Sequence, residues 1–176
     1  RCLSVSSVPL RAMALGYFGR FASAHSGVDL WGRYAAHPAD WDESPDPRPY
    51  AGVQTLADRL FFTVGAIADA NPDERAPLIE RLRAEMLRTP RPSLLGALMN
   101  SDREWLLDNA ADIVRRSPPA ALGLILMAAL GTPDLPHFVG PLLPSVDNRL
   151  QLAAELQVRL FHPQKQAVLD LVRSGP

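Results

Sequence analysis

Eleven consecutive residues, Ala120 to Leu130 (Ala-Ala-Leu-Gly-Leu-Ile-Leu-Met-Ala-Ala-Leu), carry no polar side chain. A helix apolar on every side leaves no face for water and has to be enclosed by other elements. The helix reading is supported at both ends. Ser117 is placed to cap the first turn, Pro118 has its φ preset for the first helical position, and Gly131 supplies a residue that stops the helix. At 1.5 Å per residue the run spans roughly 16 Å, about half of a hydrocarbon layer, so it predicts a buried rod at 118–131 and no transmembrane segment.

A rod of this kind needs helices around it, and composition supplies them. Leu and Ala provide 51 of the 176 residues, whereas Val, Ile and Thr provide 19; the imbalance favours helix over sheet. The fold class expected is all-α. Seventeen prolines fall mostly between apolar periodic segments, where they punctuate helices.

Charge excludes some functions. The net charge is −1, with ten Arg against eleven acids in residues 1–88 and eight basic against eight acidic side chains in the rest. That balance gives no electrostatic footprint for nucleic acid. Of the 18 basic residues 17 are Arg, a side chain suited to bidentate pairs in packed interfaces. Cys2 is the one cysteine, so an intrachain disulfide and a Cys-x-x-Cys redox pair are ruled out.

Residues 1–28 hold Arg1, Arg11, Arg20 and five serines but no acid, the texture of an organellar targeting segment. Met13, Ala14, Tyr17, Phe18 and Phe21 follow helical spacing after Ser7 and Pro9, and the expectation is a first helix that packs this aromatic stripe into the core, which can coexist with a targeting role. The segment from Gly27 to Tyr50 differs. Trp31, Tyr34, Trp41 and Tyr50 alternate with acids, prolines and Arg48; Asp29 is placed to cap a short helix through Tyr34; and Pro45 to Pro49 is extended. Trp, Tyr and Arg are the residue types enriched at binding hot spots. Trp31, Tyr34, Trp41, Arg48 and Tyr50 are therefore the expected partner-binding residues, and 1–50 is set apart from a helical-hairpin domain at 51–176.

In that second region Val53 to Ile67 predicts a helix closed by Asn71-Pro72, and Leu78, Ile79, Leu82 and Met86 a second, with Arg81–Glu85 and Glu80–Arg83 pairs on a solvated side. Leu94, Leu95, Leu98 and Met99 form a short piece. Ser101-Asp-Arg-Glu104 matches a capping box for a helix burying Leu106, Ala110, Ile113 and Val114. Past the rod, Gly140-Pro141 divides two short turns, Ser145 and Asp147 start a helix with two apolar sides, and Pro163 restarts a last one. About eight helices with short connections make antiparallel hairpins, arranged either as a helical repeat or as an irregular bundle.

No chemistry rises from the motifs. His25, Asp29, His37, Asp40, Asp42 and Glu43 are metal-ligand types, but without His-Glu-x-x-His, Glu-x-x-His or calcium-loop spacing. There is no Gly-x-Ser-x-Gly elbow and no phosphate-binding glycine loop. His137 and His162 stand beside prolines outside apolar helices and receive no role. Arg81, Arg83, Arg88 and Arg91 would make a strip for RNA but are diluted by Glu80 and Glu85. The expectation is a protein with other protein subunits as partners, and with no cofactor, nucleic acid or small-molecule substrate. The alternatives are a small metal-dependent hydrolase using the His25 to Glu43 cluster and a bacterial helical adaptor.

Two-helix units of roughly 30 to 35 residues from Pro72 onward suit tetratricopeptide- or pentatricopeptide-like hairpins. Together with the acid-free start they give a layout that resembles the pentatricopeptide-like accessory subunit on the outside of the F1 head of euglenozoan mitochondrial ATP synthases. The resemblance implies a mitochondrial protein, otherwise a cytoplasmic one, docked on a catalytic subunit without taking part in catalysis.

Overall fold

The computed structural model describes residues 3, 6–45, 55–117, 125, 133–144, 166, 169–170 and 173. Their regular structure is helical throughout, and the all-α class holds. The chain divides into two compact units, Arg1–Arg103 and Glu104–Pro176. The division falls at 103/104, because the first two helices pack on the third and are not a separate segment ending at residue 50.

The first unit contains α1 (Val8–Phe21), α2 (Ala24–Ala36), a 3-10 turn (Pro38–Trp41), α3 (Leu56–Ala70), α4 (Ala76–Arg88) and α5 (Pro92–Ser101). A proline sits in the first turn of α1, α4 and α5, where a missing N–H is harmless. The helix expected from Asp29 begins earlier, at Ala24: Ser23 is the N-cap, its hydroxyl accepting from the Ser26 N–H at 3.3 Å. At α3 a full capping box forms, with Thr55 accepting from the Asp58 N–H and Asp58 accepting from the Thr55 N–H.

The contacts between these helices fix their directions. Thr63 Oγ1 on α3 shares its proton between the Arg59 carbonyl at 2.8 Å and the Leu15 carbonyl of α1 at 3.2 Å, and Asn71 Nδ2 donates to the Ala22 carbonyl at 3.3 Å. Partner numbers rise together, so α1 and α3 are parallel. Ser93 of α5 donates to Asp58 Oδ1 at 2.6 Å, and further along Gly65 meets Ala97, so α5 is parallel to α3 as well. On the other layer Gly27 abuts Leu78 and Tyr34 bonds Glu85, which makes α2 and α4 parallel to each other. Gly27 lies against Ile67 while Tyr34 stacks edge-on against Phe61, which sets α2 antiparallel to α3. The unit is thus a two-layer stack of hairpins: α1, α3 and α5 in one row, α2 and α4 in the other.

The rows are close because small residues let them be. A Cβ added to Gly65 would lie 2.9 Å from the Ala97 Cβ and 3.2 Å from its Cα, so only glycine admits α5 at this distance from α3. Leu56, Leu60, Phe61, Val64 and Ile67 of α3 are all fully buried, as befits the helix with neighbours on both sides.

The second unit includes α6 (Arg103–Asp108, whose first residue falls just before the division), α7 (Ala110–Arg116), α8 (Leu135–Val139) and a 3-10 turn (Gly140–Leu142). The turn pair around Gly140-Pro141 is as the sequence suggests. The capping box expected at Ser101 is absent, because Ser101 is the last residue of α5 and its hydroxyl donates to the Ala97 carbonyl. Leu106, Ala110, Ile113 and Val114 are nonetheless buried, on two helices parted at Asn109, whose amide turns back to the Trp105 carbonyl at 2.8 Å. Within this unit α7 packs on α8. Of the apolar rod only Ile125 lies among the described residues, helical and fully buried. The expectations for 145–161 fall outside them, and those for the last helix nearly so.

Candidate interaction surface

The aromatic side chains expected to dock on a partner are spent on their own core. Trp31, Tyr34 and Trp41 are 8%, 4% and 5% exposed. They form a chain of ring contacts, edge-on from Trp31 to Tyr34 at 5.5 Å, from Tyr34 to Trp41 at 6.3 Å and from Tyr34 to Phe61, and tilted from Trp31 to Phe61. Helical spacing explains this for Trp31 and Tyr34, which share the buried side of α2 with Gly27 and Leu30. Trp41 follows because the 3-10 turn folds back over the unit. Arg48 and Tyr50 lie outside the described residues.

Behind these rings is a polar seam that the sequence did not announce. The Tyr34 hydroxyl donates to Glu85 Oε1 at 2.8 Å, and Arg88 grips the same carboxylate through Nε at 2.9 Å and Nη2 at 2.6 Å. Burial, then the bond to Glu85, pushes the Tyr34 phenol from 10.0 up to about 12. Arg91 lies 3.8 Å from Asp58 and 3.9 Å from Asp42. Glu85 therefore belongs to the interior and does not form the expected surface pair with Arg81, which donates instead to the Pro77 carbonyl. Arg83 pairs with Asp102. The arginine strip at 81, 83, 88 and 91 is consumed by these bonds and presents no row of free cations.

The metal-ligand types of the alternative reading are dispersed. His25 reaches Asp29 at 3.8 Å, both exposed; Glu43 takes Arg11 at 3.2 Å; Asp40 offers Arg11 its carbonyl; and Asp42 faces Arg91. His37 ends α2. No group of three or more His, Cys, Asp or Glu side chains comes together among the described residues.

The unexpected feature is on α1. Leu10, Met13, Tyr17 and Phe21 are 52%, 71%, 66% and 70% exposed, whereas Ala12 and Leu15 of the same helix are buried. Spacings of three, four and four residues put the exposed four on one side, opposite the face packed on α3. Tyr17 and Phe21 rest on each other with ring centroids 4.8 Å apart. Alongside runs an open groove of about 470 Å³ walled by α1, α2 and Leu3, with Tyr17, Phe18, Asp29, Leu30 and Arg33 among its lining. The sequence did carry this signal: α1 has apolar residues on two opposite sides, yet one neighbour, α3, takes up one side.

Comparison with protein-family models, with curated proteins and with solved structures finds no match to this chain.

Proposed function

We propose that the chain is a non-catalytic helical interaction subunit and that it docks through the outer face of α1 and the adjoining groove. The observation that carries this reading is the stripe of Leu10, Met13, Tyr17 and Phe21 left in solvent. These side chains expose roughly 500 Å² together on the usual areas of large residues, towards the upper end of the roughly 300–600 Å² of the largest apolar patch on a typical monomer, which is often a functional surface. A standard interface takes about 800 Å² from each partner, which the stripe approaches once the groove walls are added. The finer form of the proposal, an accessory subunit on the F1 head of a mitochondrial ATP synthase, rests on the resemblance in layout alone.

Tyr17→Glu tests the docking face. It adds a charge to an exposed ring position, so the variant keeps its fold and melting temperature. Quantitative mass spectrometry of proteins co-purifying with wild type and variant then shows a specific partner lost from the variant. A partner set unchanged by Tyr17→Glu ends the docking reading for this face. F1 subunits among the lost proteins would support the finer form, and their absence would remove it.

A further inference from the structure

We infer that residues His37 to Glu43 form a strap that opens as a unit of its own while the helices beneath it stay folded, and that the Arg11 guanidinium is its latch. The device is conformational and does not depend on the docking face.

The strap passes the starting ends of the three parallel helices. It meets Arg11 in the first turn of α1, the backbone N–H of Leu56 at the start of α3, and Arg91, the N-cap residue of α5. The Leu56 N–H donates to the Glu43 carbonyl at 3.0 Å, and Arg91 lies 3.9 Å from Asp42. Elsewhere the strap has little hold. From Ala35 to Ser44 the one buried side chain is Trp41. The turn is closed by long backbone bonds, from the Asp40 N–H to the His37 carbonyl at 3.2 Å and from the Asp42 N–H to the Ala39 carbonyl at 3.3 Å. A segment with a single apolar anchor and solvent-facing backbone bonds belongs to the low end of local stability, whereas α3, with Leu56, Leu60, Phe61, Val64 and Ile67 fully buried, belongs to the high end.

Arg11 holds the strap down. Its side chain carries a full charge yet is only 12% exposed. Nη1 donates to the Asp40 carbonyl at 3.1 Å and Nη2 to Glu43 Oε2 at 3.2 Å, while Nε is buried without an acceptor. Both acceptors of the guanidinium are therefore on the strap, and they leave together when it lifts. A desolvated charge stripped of its acceptors is costly until it reaches water, so the strap and the arginine have to move in one step. The Arg91 contact is a looser fastening. It is longer, and Asp42 is 64% exposed, where solvent and salt screen the pair. Lifting bares Trp41 and the edge of the Tyr34 ring against which it packs.

The test is amide exchange of the full chain followed by NMR. In wild type the amides of Asp40, Asp42 and Leu56 exchange through one shared opening, at least about tenfold faster than those of Leu60 and Val64, although Leu56 belongs to the same helix as these two. Arg11→Met keeps an apolar stem and removes the charge. It speeds the three strap amides at least about tenfold further and leaves Leu60, Leu82 and Leu98, on α3, α4 and α5, unchanged. Strap amides that exchange no faster than Leu60 in wild type would show that the strap comes away only with global unfolding, and overturn the inference. Unchanged strap rates in Arg11→Met would leave Trp41 as the sole fastening and overturn the latch. So would a uniform rise that includes Leu60, Leu82 and Leu98, which marks a general loss of stability, or an effect of Asp42→Asn as large as that of Arg11→Met, which moves the latch to Arg91. If Arg11→Met does not fold, Glu43→Ala at an exposed position removes one acceptor of the same guanidinium, and strap rates unaltered by it overturn the latch.

Discussion

Tyr34 and Glu85, 51 positions apart in the chain, are joined inside the first unit by a 2.8 Å hydrogen bond from the phenol to the carboxylate. The bond ties α2 to α4 at the far end of their contact from Gly27 and Leu78, so the two helices of that row are fixed at both ends.

Tyr34→Phe removes the donor while Arg88 remains on the carboxylate. Leaving a buried oxygen short of one partner costs about 1–3 kcal/mol, measurable by urea unfolding. The pH dependence follows from the raised phenol. Its folded-state value, about 12, lies above the ordinary phenol value of 10.0, so the folded chain holds the proton more tightly. That contribution is complete below pH 10 and is lost as the pH climbs towards 12. Wild type should therefore lose more stability over that interval than Tyr34→Phe, and tyrosinate absorbance should show a late-titrating ring that the variant lacks.

Trp41→Ala should lower the melting temperature sharply. The ring is buried against Tyr34, and deleting a large core aromatic costs about 3–5 kcal/mol. The opposite result, a wild-type melt with weakened partner binding, would restore Trp41 as a docking residue.

Gly65→Ala should destabilise although alanine is the better helix former. The propensity gain is about 1 kcal/mol, but the new Cβ meets backbone as well as the Ala97 methyl group, and overpacking of this kind costs about 1–3 kcal/mol. Combining it with Ala97→Gly removes the nearest collision and keeps one glycine and one alanine across the contact. Chemical denaturation should show the double variant recovering most of the loss.

Met13→Ser with Phe21→Ser should leave unfolding free energy within about 0.5 kcal/mol of wild type, as for other exposed positions. The same pair should reduce binding of a hydrophobic dye and raise the solubility limit. A drop in stability of several kcal/mol would mean that the stripe is covered within the chain.

The helices were legible because their signals are local: prolines in first turns, four-residue apolar spacing, and Gly140-Pro141 between two turns. What escaped depended on neighbours distant in sequence. Glu85 reads as half of a surface pair with Arg81 until Tyr34 and Arg88 are placed beside it. Ser101 satisfies a capping pattern, yet α5 reaches it first and its hydroxyl is used on the Ala97 carbonyl. The acids around Trp41 suggest exposure, but Asp42 turns towards Arg91 while the ring folds inward. For the candidate site the stripe on α1 was visible but read as facing the core, whereas Ala12 and Leu15 on the other side are the buried residues, because the place of α3 beside α1 is not written in the local sequence.

Thr63 and Asn71 give α1 a fixed phase. One hook shares its single proton between the Arg59 carbonyl of α3 and the Leu15 carbonyl of α1, and the other reaches the Ala22 carbonyl just past the helix end, so α1 is tied to α3 at two levels. An extra residue between Gly16 and Tyr17 would turn Leu10 and Met13 away from Tyr17 and Phe21 by about 100°, splitting the ridge while leaving composition and hydropathy almost untouched. The seven-residue interval between the two carbonyls, Leu15 and Ala22, acts as a ruler, and the outer face of α1 is specified by counting as much as by chemistry.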